Sequence, residues 1–512
     1  YPHCCMADRL HKSLLNARVN LLFYFLGLFF AFYSRRIFLQ CLGEEFIGLT
    51  GTLGNILNYL NLAEFGMSSA ISYFLYKPLE QGNRDEVSKV LSVFGYLYRW
   101  VGTFILMAGL IVSLFFPLIF SNTELSMGIV YFAFASILGS QLIGYFINYR
   151  EILLVADQKQ YLVSVYYQSA GLVKVALQIF LAYTYRNLYV WVAIEMVFAV
   201  LACVVLNWKI NKEYPWLKTD KSRGREYLHE YPDILKKTGQ IFIHHIKYFL
   251  LTKSDELFVF IIASLKYVAY YGNYTMLITK VTLLFNMVLN SVNAGVGNLV
   301  AEGNRDKEVS VFWELMALRQ FVAGVICFGV YHLTEPFISV WLGNEFVLPH
   351  HLLVLFVVYA FMTVTRPVVE IFLHGHGLYD DVWSAWTELI LNVGITFGIG
   401  LPFGIVGILL GKIVSVGLII MLWKPYYLYH RGFNMGVASY WSGTLRHYGV
   451  IAVSALAATW LASLLPLHDD TNFLWWALHA ATVMAIYVTI AAPLTYFLAP
   501  GTRACTRRLL HL

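Results

Sequence analysis

Residues 188–208 read LYVWVAIEMVFAVLACVVLNW, a run with one charged side chain, Glu195. A stretch of about 20 apolar residues is long enough to cross the hydrocarbon of a bilayer as a helix. Similar runs recur along the chain, which excludes a soluble domain carrying one anchor. Across 512 residues, 59% are hydrophobic and 13% charged, against roughly 25% charged in an ordinary soluble domain. Lipid has to be the solvent for so much apolar surface. In hydrocarbon each backbone polar group must be paired internally, so long runs predict helices and not the alternating strands of about 10 residues that build barrels.

Hydropathy places spans at 19–38, 46–75, 93–120, 127–147, 162–184 and 188–208. A second set falls at 240–264, 268–300, 311–333, 350–373, 382–402 and 404–424, and a final pair at 447–466 and 472–498. The expectation is an all-α polytopic membrane protein with about fourteen transmembrane helices. Residues 1–210 form an N-terminal lobe, 211–238 a polar inter-lobe loop, 239–430 a C-terminal lobe, and 431–512 an extra helix pair with a tail. The first span shows no small-residue cleavage pattern and reads as a retained anchor.

Charge supports the count. Most of the 36 Lys and Arg residues fall in alternate loops and at the two termini, whereas the intervening loops hold Arg35, Arg36, Arg186 and Lys266. Positive residues resist translocation, so both termini are expected in the cytoplasm. These loops account for the net charge of +6, and no folded basic module points to nucleic acid. The six cysteines lack metal or redox spacing. His244-His245 and His374-Gly375-His376 offer too few ligands for a metal. Nothing resembles a nucleotide-binding loop, and no cofactor is expected.

An internal repeat gives the architecture. Gly82-Asn83-Arg84-Asp85 recurs as Gly303-Asn304-Arg305-Asp306, and with Lys307 as an insertion the match runs on from Glu86-Val87-Ser88 to Glu308-Val309-Ser310. The copies lie six spans apart, and an even number of spans preserves orientation. The repeat is therefore parallel, which predicts two six-helix lobes related about the membrane normal, plus the C-terminal helix pair.

Polar residues inside the spans mark a candidate cavity. Thr275, Thr279, Thr282, Asn286, Asn290 and Asn293 are spaced by three and four, so they share one helix face. The equivalent positions in the earlier copy carry Gly54, Asn58, Asn61, Phe65, Ser69 and Ser72. Helix packing also uses small and polar residues, but two equivalent stripes favour cavity lining. Lys174, Glu195, Lys247, Lys253, Asp255, Glu256, Lys280, Arg319, Glu388 and Lys412 lie at membrane depth, where a centred charge costs roughly 2.5–3.5 kcal/mol. Lys247, Lys412 and Arg319 equally fit snorkelling to an interface. Glu64 and Arg36 are placed to flank the same aqueous space.

Several of these residues carry a resemblance. Ser34-Arg35-Arg36, Leu42-Gly43, Leu62-Ala63-Glu64-Phe65-Gly66, Tyr76-Lys77-Pro78-Leu79, Tyr149-Arg150, Ala156-Asp157-Gln158-Lys159-Gln160-Tyr161, Tyr214-Pro215, Tyr271-Gly272-Asn273-Tyr274, Arg366-Pro367, Lys424-Pro425 and Arg431-Gly432-Phe433 together look like bacterial oligosaccharide-lipid flippases. These form the polysaccharide transporter branch of the multidrug/oligosaccharidyl-lipid/polysaccharide exporter superfamily. Gly272, where the family often has serine, and His374-Gly375-His376 depart from the pattern.

The resemblance implies no enzyme but a transporter in a bacterial inner membrane. It would move an undecaprenyl-diphosphate-linked oligosaccharide from the cytoplasmic to the outer leaflet by alternating access, for surface polysaccharide or lipopolysaccharide biosynthesis. Partners are then the lipid-linked glycan and membrane lipids. Candidate substrate-binding residues are Arg36, Asn58, Asn61, Lys253, Thr279, Lys280, Thr282, Asn286, Asn290 and Arg319. Cations suit a diphosphate, and amides and hydroxyls suit sugars. Asp255 and Glu256 are candidates for a coupling cation or proton, although a structural ion pair is equally cheap. Rival readings are a multidrug or organic-cation antiporter with the same fold and a carboxylate-lined cavity, and a membrane glycan polymerase or ligase with a large outer loop.

Overall fold

The computed structural model describes residues 2–64, 67–157, 159–231, 233–235, 238, 254–290, 296, 299–300, 303–378, 380–464 and 472–510. Among the described residues every regular element is a helix. The chain divides into two compact units, Tyr1–Phe260 with Ser264–Ala269 and Ile261–Ala263 with Tyr270–Leu512. Residues 254–260 thus fall in the first unit, whereas the sequence division places them after the inter-lobe loop.

Unit 1 contains α1 (Pro2–Leu42), α2 (Glu44–Leu60), α3 (Met67–Glu80), α4 (Arg84–Ser113), α5 (Phe116–Ile119), α6 (Met127–Phe146), α7 (Glu151–Ala156), α8 (Gln160–Tyr185), α9 (Leu188–Glu213) and α10 (Gly224–Glu230), together with most of α11 (Asp255–Ile262). α12 (Leu265–Asn290) crosses the boundary. Unit 2 continues with α13 (Arg305–Trp341), α14 (His350–Thr365), α15 (Pro367–Gly375), α16 (Val382–Phe403) and α17 (Ile405–Val416). α17 runs on through wider π turns at Gly417–Trp423 and Leu428–Gly432. The unit ends with α18 (Val437–Ser463), α19 (Phe473–Leu498) and α20 (Thr502–Leu510).

Ten helices among the described residues are long and apolar enough to cross a membrane. They correspond to all the expected spans but four. The expected span 240–264 lies mostly outside the described residues, 268–300 is helix α12 as far as Asn290 with 291–295, 297 and 298 outside them, and the region 447–466 is occupied by the long helix α18. The remaining one, 46–75, is corrected by the structure: a 3₁₀ turn at Asn61–Glu64 separates α2 from α3. Such a turn inside a membrane-depth helix re-aims the side chains on either side of it, and this one points polar groups inward.

The repeated tetrapeptide has one physical meaning in both copies. Gly82 and Gly303 have φ of +67° and +69°, a left-handed conformation that glycine adopts without penalty. Asn83 and Asn304 follow as helix N-caps, accepting from the Glu86 amide at 3.2 Å and the Lys307 amide at 3.1 Å. Each cap satisfies an orphan donor at a helix start, a contribution of about 1 kcal/mol.

Loops that the charge pattern assigns to one side meet in unit 1. At its basic end Lys89 pairs with Glu230 at 3.2 Å, and Lys159 with Asp157 and Glu213, both at 2.8 Å. At the opposite end Glu45 accepts from Thr123 at 3.0 Å, and Lys266 pairs with Glu44 at 2.6 Å. In unit 2 an aromatic core of Phe312, Phe372, Tyr429, Phe433 and Tyr440 ties α13, α15 and the end of the α17 segment to α18.

Candidate functional site

The 3₁₀ turn between α2 and α3 opens onto a polar cavity of about 230 Å³ in unit 1. Glu64, the last residue of the turn, accepts from three hydroxyls. Ser68 and Tyr98 donate to Oε1, Ser68 at 2.9 Å, and Tyr145 donates to Oε2 at 2.8 Å. Tyr145 also reaches Asn61 Oδ1 at 3.1 Å, and Asn61 donates to Gln141 Oε1 at 3.0 Å. A carboxylate held by hydroxyl donors replaces part of the hydration it would have in water, which makes its burial tolerable.

A second carboxylate, Glu151, lines the same cavity from the first turn of α7. Its Oε2 accepts from Tyr167 at 3.1 Å, and Asn148 in turn donates to Tyr167. Burial raises the Glu151 carboxyl to about 6; the Tyr167 hydroxyl opposes that rise and the negative charge of Glu64 adds to it. Among the described residues no Lys or Arg is ion-paired with Glu64 or Glu151. The aromatic rings of Phe94, Tyr98, Tyr145 and Tyr149 complete the wall. Such a lining accepts hydroxyl donors, presents ring faces to a sugar or a cation, and holds at Glu151 a carboxyl raised by burial. Among the described residues no cluster of three His, Cys, Asp or Glu side chains is set to hold a metal.

Of the sequence candidates, Asn61 belongs to this cavity, and Asn58 is half-buried on α2. Arg36 is exposed on α1, while its neighbour Arg35 donates to the Ala269 carbonyl at 3.1 Å. Glu256, in the first turn of α11, accepts from Asn55 at 2.8 Å, and Tyr59 donates to Ser254 just before that helix. Asp255 shares that first turn. These contacts tie α11 to α2 within unit 1.

In unit 2 the structure brings Arg319 and Asn286 together. The Arg319 side chain is buried and donates to Asn286 Oδ1 at 3.1 Å and to the Val364 carbonyl at 3.3 Å. Thr282 turns its hydroxyl back onto its own helix, at Ile278 O, a common use of threonine in membrane helices. Thr279 is exposed and Lys280 half-buried. Lys253, Asn293 and the side chain of Asn290 lie outside the described residues.

Sequence reasoning placed Glu64 beside Arg36 and gave Glu151, Tyr98, Tyr145 and Gln141 no role. The available signal was Glu64 itself, an acid inside an apolar run with no basic residue one turn away. Its repeat equivalent, Phe285, is apolar and sits in the unbroken helix α12, so the repeat supplies no second acid at this position.

No protein-family model matches the sequence, and no curated protein matches it. Among solved structures the chain is similar to one described as "Lipid II flippase MurJ, inward closed conformation", with a TM-score of 0.68 and 15% identity, covering 94% of this chain and 99% of that one. It is also similar to the "Inward-facing conformation of a multidrug resistance MATE family transporter of the MOP superfamily", with a TM-score of 0.58 and 13% identity, covering 80% and 97%. At this identity the likeness establishes the fold: an all-α, multi-pass membrane protein built like those two.

Proposed function

We propose that this protein is a transporter of the bacterial inner membrane that moves a lipid-linked oligosaccharide, carried on undecaprenyl diphosphate, to the outer leaflet by alternating access, with both termini cytoplasmic. The observation that carries the reading is the cavity at Glu64. Amides, phenols and a carboxylate converge there in a fold whose solved examples include a lipid flippase. Sugar hydroxyls donate to carboxylate and amide oxygens and lie against aromatic rings, so the lining suits a glycan. A proton taken up at Glu151 would alter the number of acceptors on offer, and through it the affinity for the glycan.

A second reading is favoured by the same two carboxylates. With no basic partner among the described residues they also suit an organic cation, the cargo class of a multidrug exporter. The cationic cavity expected from sequence is therefore not what supports the proposal; the hydroxyl and amide lining is.

Proteoliposomes separate the two. The expected result is protein-dependent translocation of a fluorescent prenyl-diphosphate oligosaccharide, reduced at least tenfold in Glu64→Gln at normal protein abundance. Uptake of a fluorescent organic cation without movement of the glycan lipid would sink the first reading and leave the second.

A further inference from the structure

The segment joining α9 to α10 folds onto the basic end of unit 1, where it brings in a lysine with no acidic partner. Lys221 Nζ donates to the Phe146 carbonyl at 2.7 Å and lies 4.3 Å over the Tyr149 ring. The Tyr149 and Thr219 hydroxyls are hydrogen-bonded at 2.8 Å, so two residues of the segment grip one tyrosine. The Lys221 stem runs along α4, where a Cβ added at Gly95 would stand 3.1 Å from Lys221 Cγ. Arg99 is four residues further on and so lies on the same face of α4.

Two guanidinium groups share this corner. Arg99 is exposed and makes no side-chain contact to a partner among the described residues. Arg150, next to Tyr149, donates to Asn207 Oδ1 at 2.7 Å and to Asn211 Oδ1 at 2.9 Å. Those amides orient the fork without neutralising it. Burial, and then the positive charges of Arg150 and Arg99, hold the Lys221 ammonium below the usual lysine range. The local potential is thus positive, and among the described residues no carboxylate is ion-paired with any of the three.

Capping explains part of this. Phe146 ends α6, and a cation near the last carbonyls of a helix is favourable. That account covers Lys221 but not the convergence of Arg99 and Arg150 on it. Exposed tryptophans supply the depth: Trp100 follows Arg99 at 62% exposure, and Trp208 follows Asn207 at 58%. Tryptophan collects where acyl chains give way to headgroups, so the three cations stand at headgroup level.

We propose that Lys221, Arg150 and Arg99 form a binding site for a phosphoryl group carried by a lipid. Two planar forks and a point charge match the oxygens of a phosphate or diphosphate ester, and the flanking tryptophans would lie along its acyl or prenyl chain. The site adjoins the Glu64 cavity, whose wall includes Tyr149, and does not depend on which solute the protein transports. None of the three cations was among the candidate substrate-binding residues read from the sequence.

The test is binding to the purified full-length protein in detergent, read as a concentration-dependent rise in melting temperature. Farnesyl diphosphate is the probe, sodium diphosphate the free-anion control and phosphatidylcholine the zwitterionic one. Farnesyl diphosphate should bind more tightly than either control. Arg99→Gln, which loses no protein contact, should weaken it about fivefold, and Arg99→Gln with Lys221→Gln about 25-fold. Equal binding of sodium diphosphate, equal binding of phosphatidylcholine, or an unchanged affinity in Arg99→Gln would overturn the proposal.

Discussion

Replacing Glu151 by Gln removes a cavity carboxyl that burial raises above the ordinary carboxylate range. Burial raises this group from an ordinary 4.5 to about 6. A pKa that is higher in the folded than in the unfolded protein means that the native state binds the proton more tightly. The associated stability is therefore complete below about pH 4.5, declines as the pH rises towards 6, and is absent above that. A displacement of this size corresponds to about 2 kcal/mol. Gln keeps the shape and an acceptor for Tyr167 but carries no charge at any pH. Relative to the unchanged protein, Glu151→Gln should thus gain about 2 kcal/mol between pH 4.5 and pH 7.5. The assay is denaturation in mixed micelles across increasing SDS mole fraction, run at both pH values. A difference between variant and parent that stays the same at the two pH values would refute the buried, proton-binding carboxylate. Tyr167→Phe supplies the converse: without the hydroxyl that opposes burial, the midpoint of the parent's pH dependence should move above 6.

Arg319→Ala should lower membrane abundance, because it strips a buried donor from Asn286 and the Val364 carbonyl at roughly 1–3 kcal/mol; loss of transport at normal abundance, seen by immunoblot beside the transport assay, would mark a substrate contact instead. Gly82→Ala and Gly303→Ala should each cost about 1–2 kcal/mol in the same micelle titration, since their φ of +67° and +69° is unfavourable for any side chain. Single cysteines at Asp85, Arg223 and Arg305 should be labelled from one face of the membrane and those at Asn122 and Asn344 from the other; one residue exchanging sets would refute the span assignment.

How much of this was legible depends on how local each feature is. The membrane-spanning helical architecture follows from short-range facts. Hydrocarbon forces every backbone group in a run such as 188–208 to find its partner within four residues, so composition alone selects the helix. The Gly-Asn repeat was equally local: one residue in left-handed geometry and one side chain bonding three residues ahead, so the tetrapeptide carries its conformation wherever it recurs. Of the polar stripe that 3.6-residue periodicity predicts through Asn58 and Asn61, the structure brings Asn61 to the cavity.

What only the tertiary structure decided was set at long range. The break at Asn61–Glu64 interrupts a run that hydropathy treats as one span. Its polar turn is stabilised by Tyr98, Gln141 and Tyr145, which arrive from α4 and α6. Glu151 acquires its raised pKa from burial, a property of the packed unit and not of its neighbours in sequence. The three cations at Lys221, Arg150 and Arg99 come from three separate segments. Their convergence depends on where the loop after α9 lies down on α4, which no periodicity records. Local rules determined which segments are helices; the packing of those helices determined which charges share a cavity.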